Sequence, residues 1–165
     1  MPTTSTRFAS PLGELVLTAS NIALIGVYFP TSHREAWLED DGHGPASELL
    51  ARARRQLTEY FARTRTTFEL PLDPAGTIFQ REVWDLLRTI PYGTTTSYGE
   101  LARHLGDPRA TRAVGAATGK NPIPIIVPCH RVVGANGYLT GFGGGLDRKR
   151  WLLEHEGALL MLARA

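Results

Sequence analysis

A lone cysteine lies among residues that could activate it. Cys129 is the only cysteine in the chain of 165 residues, and His130 and Arg131 follow it directly. Neighbouring cations lower the pKa of a thiol from its usual value of about 8.5 and so raise the fraction of reactive thiolate. The sequence therefore allows nucleophilic chemistry at Cys129, although a single buried cysteine is more often inert packing.

His130 is poorly placed for a direct bond to the cysteine, because the side chains of adjacent residues usually diverge. We expect it to act on Cys129 through a bridging water, as a base oriented by a third group. Glu156 is the candidate, since it lies at the end of a predicted helix, where the helix dipole disfavours a negative charge. A cysteine hydrolase that pairs Cys129 with the distant His155 is an alternative.

Prolines predict the path of the segment that carries the cysteine. Pro122, Pro124 and Pro128 exclude a continuous helix and favour an extended, buried segment over residues 121–133. Asn136-Gly137 then predicts a hairpin over residues 132–140. The glycines of residues 141–145 form a loop that a ligand can approach closely.

Two short helices precede this segment. Ser97 with Glu100 predicts a capping box for the first helix, and Asp107-Pro108 predicts the start of the second. Two helices joined by a short turn that contains glycine are typical of a helix-turn-helix. The second helix carries small residues and Arg112, which suits either close approach to a DNA groove or packing on another helix.

Earlier residues predict a sheet and a helix, followed by a domain boundary. Strands are predicted over residues 15–18 and 22–29, joined as a hairpin, with residues 30–45 mostly loop. An amphipathic helix is predicted over residues 46–63 and another strand over residues 68–72. Residues 72–76 then break the chain.

Capping signals frame the helices after that boundary. Thr77 and Gln80 predict a capping box, and Asp147 is predicted to cap a last helix over residues 148–156, which Gly157 ends. The helix that starts at Thr77 should bury one apolar face, made of Phe79, Val83, Leu86, Leu87 and Ile90.

Composition narrows the classes of protein. The chain is 42% hydrophobic and 21% charged, as a globular protein is. One cysteine and five histidines without ligand spacing argue against a zinc site, and no run reaches the roughly 18 apolar residues of a spanning helix. Residues 1–76 hold 7 basic and 9 acidic residues, and residues 77–165 hold 11 and 7. The excess of basic residues in the second half fits a polyanionic partner, or simply a slightly basic surface.

Together these motifs resemble those of the O6-alkylguanine-DNA alkyltransferases. The resemblance covers about residues 77–157, with a less specific similarity at residues 10–13. It rests on motifs in the family's order: Pro91-Tyr92-Gly93, Ser97-Tyr98, Arg112-Ala113-Val114-Gly115, Gly119-Lys120-Asn121-Pro122, Pro128-Cys129-His130-Arg131-Val132, Gly143-Gly144-Gly145 and His155-Glu156-Gly157.

The resemblance implies an α/β protein of two small domains. The N-terminal domain, residues 1–73, would combine a sheet with helices. The C-terminal domain, residues 77–165, would be mainly helical and winged-helix-like, with the helix-turn-helix, and would carry both DNA binding and alkyl transfer.

The implied activity is direct-reversal DNA repair. One alkyl group would move irreversibly from O6-alkylguanine, or O4-alkylthymine, in double-stranded DNA to Cys129, after the base is flipped out of the helix. Glu156, His130 and a water would activate the thiol, Asn121 would brace the segment, and Tyr98 would help rotate the nucleotide and donate to the base. Substrate contacts would come from Pro124, Val132, Phe142, Gly143 and Gly144, and DNA contacts from Ser97, Tyr98, Arg112, Ala113 and Gly115.

No cofactor or metal is expected, and the protein is expected to be a cytoplasmic monomer that can bind DNA cooperatively. The zinc-binding cysteines of some family members are missing here, and Phe142 stands where some members have tyrosine. Besides the cysteine hydrolase, two further alternatives remain open. One is an alkyltransferase-like protein that binds the lesion without repairing it, although that type lacks the cysteine, and the other is a plain DNA-binding regulator.

Overall fold

The computed structural model describes residues 3–29, 38–137, 139 and 141–158, and it separates into two compact units, residues 1–75 and 76–165. The first unit holds a four-stranded sheet and one helix. Its elements are β1 (Thr4–Ser10), β2 (Gly13–Ala19), β3 (Leu24–Tyr28), β4 (Leu38–Glu39) and α1 (Pro45–Phe61). The mixed α/β class that the resemblance implied is confirmed.

The sheet has the strand order β3-β2-β1-β4. The β2–β3 pair forms the predicted hairpin, whereas β1 was not predicted, because its polar residues hide the buried Ser5 and Phe8. The predicted strand at residues 68–72 is wrong. Only Leu72 forms a bridge, to Leu24, and the neighbouring Pro71 has no N–H to extend the pairing. Within the predicted loop, residues 38–39 form β4, and residues 30–37 lie outside the described residues.

The helix of the first unit packs its apolar face on the sheet. Leu50, Ala53 and Leu57 are fully buried, as the periodicity predicted, and α1 contacts β1, β2 and β3. Beyond the helix, Arg63 takes a left-handed conformation with φ 64°, and its N–H donates to the Tyr60 carbonyl. This bond satisfies a carbonyl that the end of the helix would otherwise leave without a partner.

The second unit is mainly helical, as the resemblance implied. Single 3₁₀ turns at Pro108–Ala110 and Cys129–Arg131 add to its regular elements. Those elements are α2 (Ile78–Leu87), β5 (Thr96–Ser97), α3 (Tyr98–His104), α4 (Thr111–Gly119), β6 (Val132–Val133) and α5 (Leu146–His155). No helix among the described residues is long and apolar enough to cross a membrane.

Helix starts follow the predicted capping residues only in part. The capping box of Thr77 and Gln80 is present. Ser97 accepts from the Glu100 N–H (3.1 Å), but the Glu100 carboxylate pairs with Arg103 and so leaves the predicted box half formed.

The predicted caps of the last two helices differ from the structure. Asp107 accepts from the Arg109 N–H (3.0 Å), but it caps the 3₁₀ turn Pro108–Ala110, and Ala110 is the N-cap of α4. The predicted cap at Asp147 is wrong, because Gly145 is the N-cap and Asp147 lies in the first turn of α5.

Trp84 joins α2 to α4. Its ring is buried, and its indole N–H donates to the Ala117 carbonyl of α4 (2.8 Å). The predicted apolar face omitted Trp84 and included Phe79 and Leu86, which are only half-buried. Because an amphipathic face is broad, a large ring at its edge can reach a neighbouring helix.

The predicted hairpin at residues 132–140 differs from the structure. β6 pairs in parallel with β5, with Val132 opposite Thr96. A turn follows, in which the Gly137 N–H donates to the Gly134 carbonyl (2.9 Å). Tyr138 and Thr140, in the predicted return strand, lie outside the described residues. The parallel pair brings the end of the cysteine segment beside the start of α3.

Candidate active site

Cys129 opens a 3₁₀ turn at the end of a buried apolar segment, and only 7% of the residue is exposed. The segment is buried as predicted, but it is not extended. Its Val127 N–H donates to the Ile123 carbonyl (2.9 Å), and Ile125 has φ 74°. The prolines that exclude a regular helix thus leave room for one compact turn.

Asn121 holds this turn from inside. Its side-chain oxygen accepts from the Ile123 N–H (3.0 Å), and its amide donates to the Val127 carbonyl (2.9 Å). The same side chain also lowers the pKa of Cys129 and so opposes the effect of burial. A single amide therefore fixes both ends of the turn.

His130 and Glu156 form a buried pair. The Nε2 of His130 lies 2.8 Å from the Oε2 of Glu156, and neither side chain is exposed to solvent. Because a carboxylate only accepts, Nε2 carries the proton and Nδ1 keeps a lone pair. Nδ1 is buried and makes no hydrogen bond with any residue that the structure describes. The third group predicted for His130 is thus in contact with it.

Arg131 points to the same carboxylate rather than to Cys129. Its Nε donates to the Oε1 of Glu156 (2.8 Å), and its Nη2 donates to Oε2 (3.0 Å). The expectation that Arg131 lowers the pKa of the Cys129 thiol is therefore wrong. The cation that acts on Cys129 is Lys149 on α5.

Burial makes the Cys129 thiol hard to ionise. It raises the pKa of Cys129 to about 11, against the lowering effects of Asn121 and of the Lys149 charge. Nucleophilic chemistry at this sulfur therefore needs a base that removes its proton.

Lys149 is a functional candidate that the sequence analysis missed. It is fully buried, and burial lowers its pKa to about 8, although the charge of Cys129 acts in the opposite direction. A signal for it existed: Lys149 precedes Leu152, Leu153 and Glu156 by three, four and seven positions, which places it on the buried face of α5.

Tyr98 links three helices of the site. It is the first residue of α3, and Ser97 is the N-cap. The Tyr98 ring lies close to Gly115 on α4, where a Cβ would be 3.8 Å from it. The Lys149 ammonium of α5 lies 6.0 Å from the centre of the same ring. An alanine at position 115 would contact Tyr98 at an ordinary van der Waals distance.

The predicted DNA-contact residues of α4 line its outer surface. Arg112 and Ala113 are exposed, and Gly115 is half-buried under Tyr98. Val114, Ala117 and Thr118 form the buried side of the helix. The small residues thus serve two purposes, since some permit close packing inside and others leave the outer face flat.

The predicted substrate residues occupy two segments. Pro124 lies in the buried turn before Cys129, and Val132 is buried in β6 directly after it. The other three lie in the loop before α5, where Phe142 is half-buried, Gly143 is exposed and Gly144 is buried. A Cβ on Gly143 would lie 3.9 Å from the Gly119 carbonyl, so this loop runs beside the end of α4.

His155, the base of the hydrolase alternative, has a different environment. Its ring stacks on Trp151, with centroids 4.9 Å apart and planes inclined by 13°. The histidine that contacts a carboxylate next to the cysteine is His130. Within the described parts of the chain, no three His, Cys, Asp or Glu residues are grouped as metal ligands would be. The arrangement suits proton transfer from a thiol through His130.

Comparison with known proteins gives matches along both units. The family model described as "6-O-methylguanine DNA methyltransferase, DNA binding domain" matches residues 78–158, and "6-O-methylguanine DNA methyltransferase, ribonuclease-like domain" matches residues 5–74. The methylated-DNA–protein-cysteine methyltransferase of Methanosarcina acetivorans is 46% identical over 156 residues, which cover 92% of this chain and 96% of that protein. Its counterpart from Mycobacterium leprae is 49% identical over 152 residues, covering 89% and 88%.

Solved structures match as well. The O6-methylguanine methyltransferase of Mycobacterium tuberculosis superposes with a TM-score of 0.84 at 47% identity, covering 94% of this chain and 93% of that one. The OGT of the same organism, in complex with DNA, superposes with a TM-score of 0.83 at 46% identity, covering 98% and 99%.

Proposed function

The chain belongs to the 6-O-methylguanine DNA methyltransferase family, and on that basis we propose a role in repair for each residue of its site. The protein is a methylated-DNA–protein-cysteine methyltransferase that acts in DNA repair, and DNA is its partner. Alkyl acceptance is assigned to Cys129, and both alkyl transfer and DNA binding to residues 77–165. Residues 1–73 form the accompanying N-terminal domain.

One observation carries the assignment. The buried Cys129, whose thiol pKa is raised, precedes His130, and the Nε2 of His130 is held by the Glu156 carboxylate. Glu156 orients the ring so that Nδ1 is the free base. Through a bridging water, Nδ1 takes the proton of Cys129, and the imidazolium that forms is stabilised by Glu156. Asn121 and Lys149 stabilise the thiolate that results.

The transfer step then balances without a cofactor or a metal. The thiolate of Cys129 attacks the alkyl carbon on O6 of guanine, an S–C bond forms, and the O–C bond breaks. A proton donated by Tyr98 lets guanine leave as a neutral base, and the proton that His130 took from Cys129 passes to solvent, from which Tyr98 is protonated again. Because the reverse step would have to expel the Cys129 thiolate, a poor leaving group, from a stable thioether, the product is not reversed and each chain acts once.

The lesion must leave the helix to reach Cys129. We assign this step to a helix-turn-helix of α3 and α4, with base flipping at a cost of a few kcal/mol. Arg112 fills the gap in the duplex, Tyr98 helps to rotate the nucleotide, and Ser97, Ala113 and Gly115 line the DNA contact. The flipped base lies against Pro124, Val132, Phe142, Gly143 and Gly144.

The substrate we propose is alkylated guanine in double-stranded DNA, with O4-alkylthymine as a second substrate. A monomer suffices, since every assigned residue lies in one unit of one chain, and cooperative binding along DNA is compatible with it. A cytoplasmic location suits a reaction that needs a free thiol, because cytoplasmic thiols are kept reduced.

Arg112→Ala is expected to weaken binding to a lesion-containing duplex by about tenfold, because it removes both a charge and the group that fills the gap. Transfer from free O6-methylguanine base should change less than about twofold, since α4 is not needed without a duplex. Fluorescence anisotropy and single-turnover rates measure the two. Arg55→Ala removes an exposed arginine from α1 and is the matched control. Unchanged duplex affinity in Arg112→Ala would remove Arg112 from this role.

The test of the function is a titration with excess O6-methylguanine duplex. We expect the amount of guanine restored to equal the amount of protein and then to stop. Repair that continues beyond one equivalent would contradict transfer to the protein itself, and an absence of any repair would contradict the function.

A further inference from the structure

Arg131 is buried and makes three hydrogen bonds, yet it has no part in the relay described above. Two of them reach Glu156, and the third joins Nη1 to the Ile90 carbonyl (2.7 Å). Its guanidinium carbon also lies 5.6 Å from the centre of the Tyr92 ring. A buried cation held at so many points has a fixed position, so its charge acts on a fixed neighbour.

That neighbour is the carboxylate that orients the base. Oε2 of Glu156 is shared, since it lies 2.8 Å from the His130 Nε2 and 3.0 Å from the Arg131 Nη2. Oε1 accepts from the Arg131 Nε. The negative charge of Glu156 is therefore already paired before His130 gains any proton.

We propose that Arg131 is a positioning residue for alkyl transfer, which pairs with Glu156 and thereby keeps His130 neutral and able to accept the proton of Cys129. The proposal rests on the function proposed above. A histidine that alone faced a buried carboxylate would bind a proton at rest, and its lone pair would then be lost to the relay. With the guanidinium in place, a proton on His130 would put a second positive charge on one carboxylate.

The other cation near His130, Lys149, acts in the same sense as Arg131. Burial lowers the pKa of His130, the charges of Arg131 and Lys149 lower it further, and only Glu156 raises it. Cys129 shares the 3₁₀ turn of His130, and burial raises the pKa of its thiol. The segment after α2 contributes the Ile90 carbonyl, which accepts from Arg131. The charged residues Asp85 and Arg88 of the same region are exposed to solvent. Glu156 is thus the one anion in contact with His130 among the described residues.

The first test uses NMR of ¹⁵N-labelled imidazole, without DNA, to measure the titration of His130 in the unmodified protein. We expect His130 to stay neutral, with the proton on Nε2, at pH values below its ordinary pKa of about 6.5. A protonated His130 at or above that pH would overturn the proposal. This measurement involves no variant and no activity, so it stands apart from the test of the function.

The second test is the pH profile of single-turnover transfer from O6-methylguanine duplex in Arg131→Met and Arg131→Lys. We expect the acid limb of Arg131→Met to move up by about one pH unit, so that transfer is about tenfold slower on the acid limb, less affected at pH 7, and fully recovered near pH 9. Arg131→Lys keeps a cation but cannot form two parallel bonds to the carboxylate, so its acid limb should lie between those of the unmodified protein and Arg131→Met. The same variant provides the test if Arg131→Met does not fold.

The matched control is Arg150→Met, which removes an exposed arginine of α5 and should keep the profile of the unmodified protein. If the Arg131 variants lose rate by the same factor at every pH, Arg131 is merely structural and the proposal is overturned. If the unmodified protein transfers no alkyl group at all, the proposed function fails, while the NMR titration of His130, repeated in Arg131→Met, still decides the part about Arg131: His130 should bind its proton at a higher pH in the variant, and an unchanged titration would overturn the proposal.

Discussion

Cys129→Ser is expected to abolish alkyl transfer while it leaves DNA binding within about twofold of the unmodified protein. The hydroxyl has nearly the shape of the thiol, so the buried turn around position 129 should keep its fold. A serine hydroxyl is, however, a far weaker acid and a harder nucleophile, so we expect the rate to fall by at least about 10³-fold. Restored guanine, measured by chromatography of digested DNA, reports the reaction.

Binding of the lesion-containing duplex by Cys129→Ser is the control for its fold. A variant that binds but does not repair separates recognition from chemistry and argues against a regulator that needs no cysteine. Retained repair in Cys129→Ser would contradict the assignment of the acceptor, and with it the proposed function of the site.

Glu156→Gln is expected to slow transfer at pH 7 by about 10²-fold, because an amide cannot stabilise a charged His130. It should also lower the free energy of unfolding by about 3 kcal/mol, since it leaves the buried Arg131 without its anion. The rate is measured in single turnover on folded protein, and the stability by urea denaturation.

The dependence of stability on pH checks the same residue. Burial alone would raise the pKa of Glu156, but the bonds and charges of His130 and Arg131 outweigh it, and the pKa lies well below its usual range. The folded state thus gains stability from Glu156 above the unfolded pKa of about 4.3 and loses it as the pH falls toward the folded value. Glu156→Gln should flatten this acid loss. A variant with unchanged rate and unchanged acid stability would remove Glu156 from the relay.

Local signals in the sequence predicted much of the frame of the site. The Thr77 capping box, the turn residues before α4 and the glycine after α5 each act within a few residues, so the chain alone reveals them. The contact of Glu156 with His130 was predicted from a conflict, a negative charge where the helix dipole disfavours it. Such conflicts point to a partner elsewhere.

Contacts set by packing were not predictable in the same way. Arg131 follows His130 in sequence, but only the meeting of its turn with α5 shows that it turns to Glu156 and away from Cys129. The compact turn before Cys129 depends on the Asn121 side chain, which replaces the extended path that prolines favour. Lys149 could have been found, because it occupies an apolar position of α5.

The most direct test is the mass of the intact protein after incubation with excess O6-methylguanine duplex, followed by mapping of its peptides. We predict that every active chain gains one methyl group, on the peptide that contains Cys129, and that longer incubation adds nothing. A chain that stays unmodified while repair proceeds, or that carries the methyl group on another residue, would contradict the account.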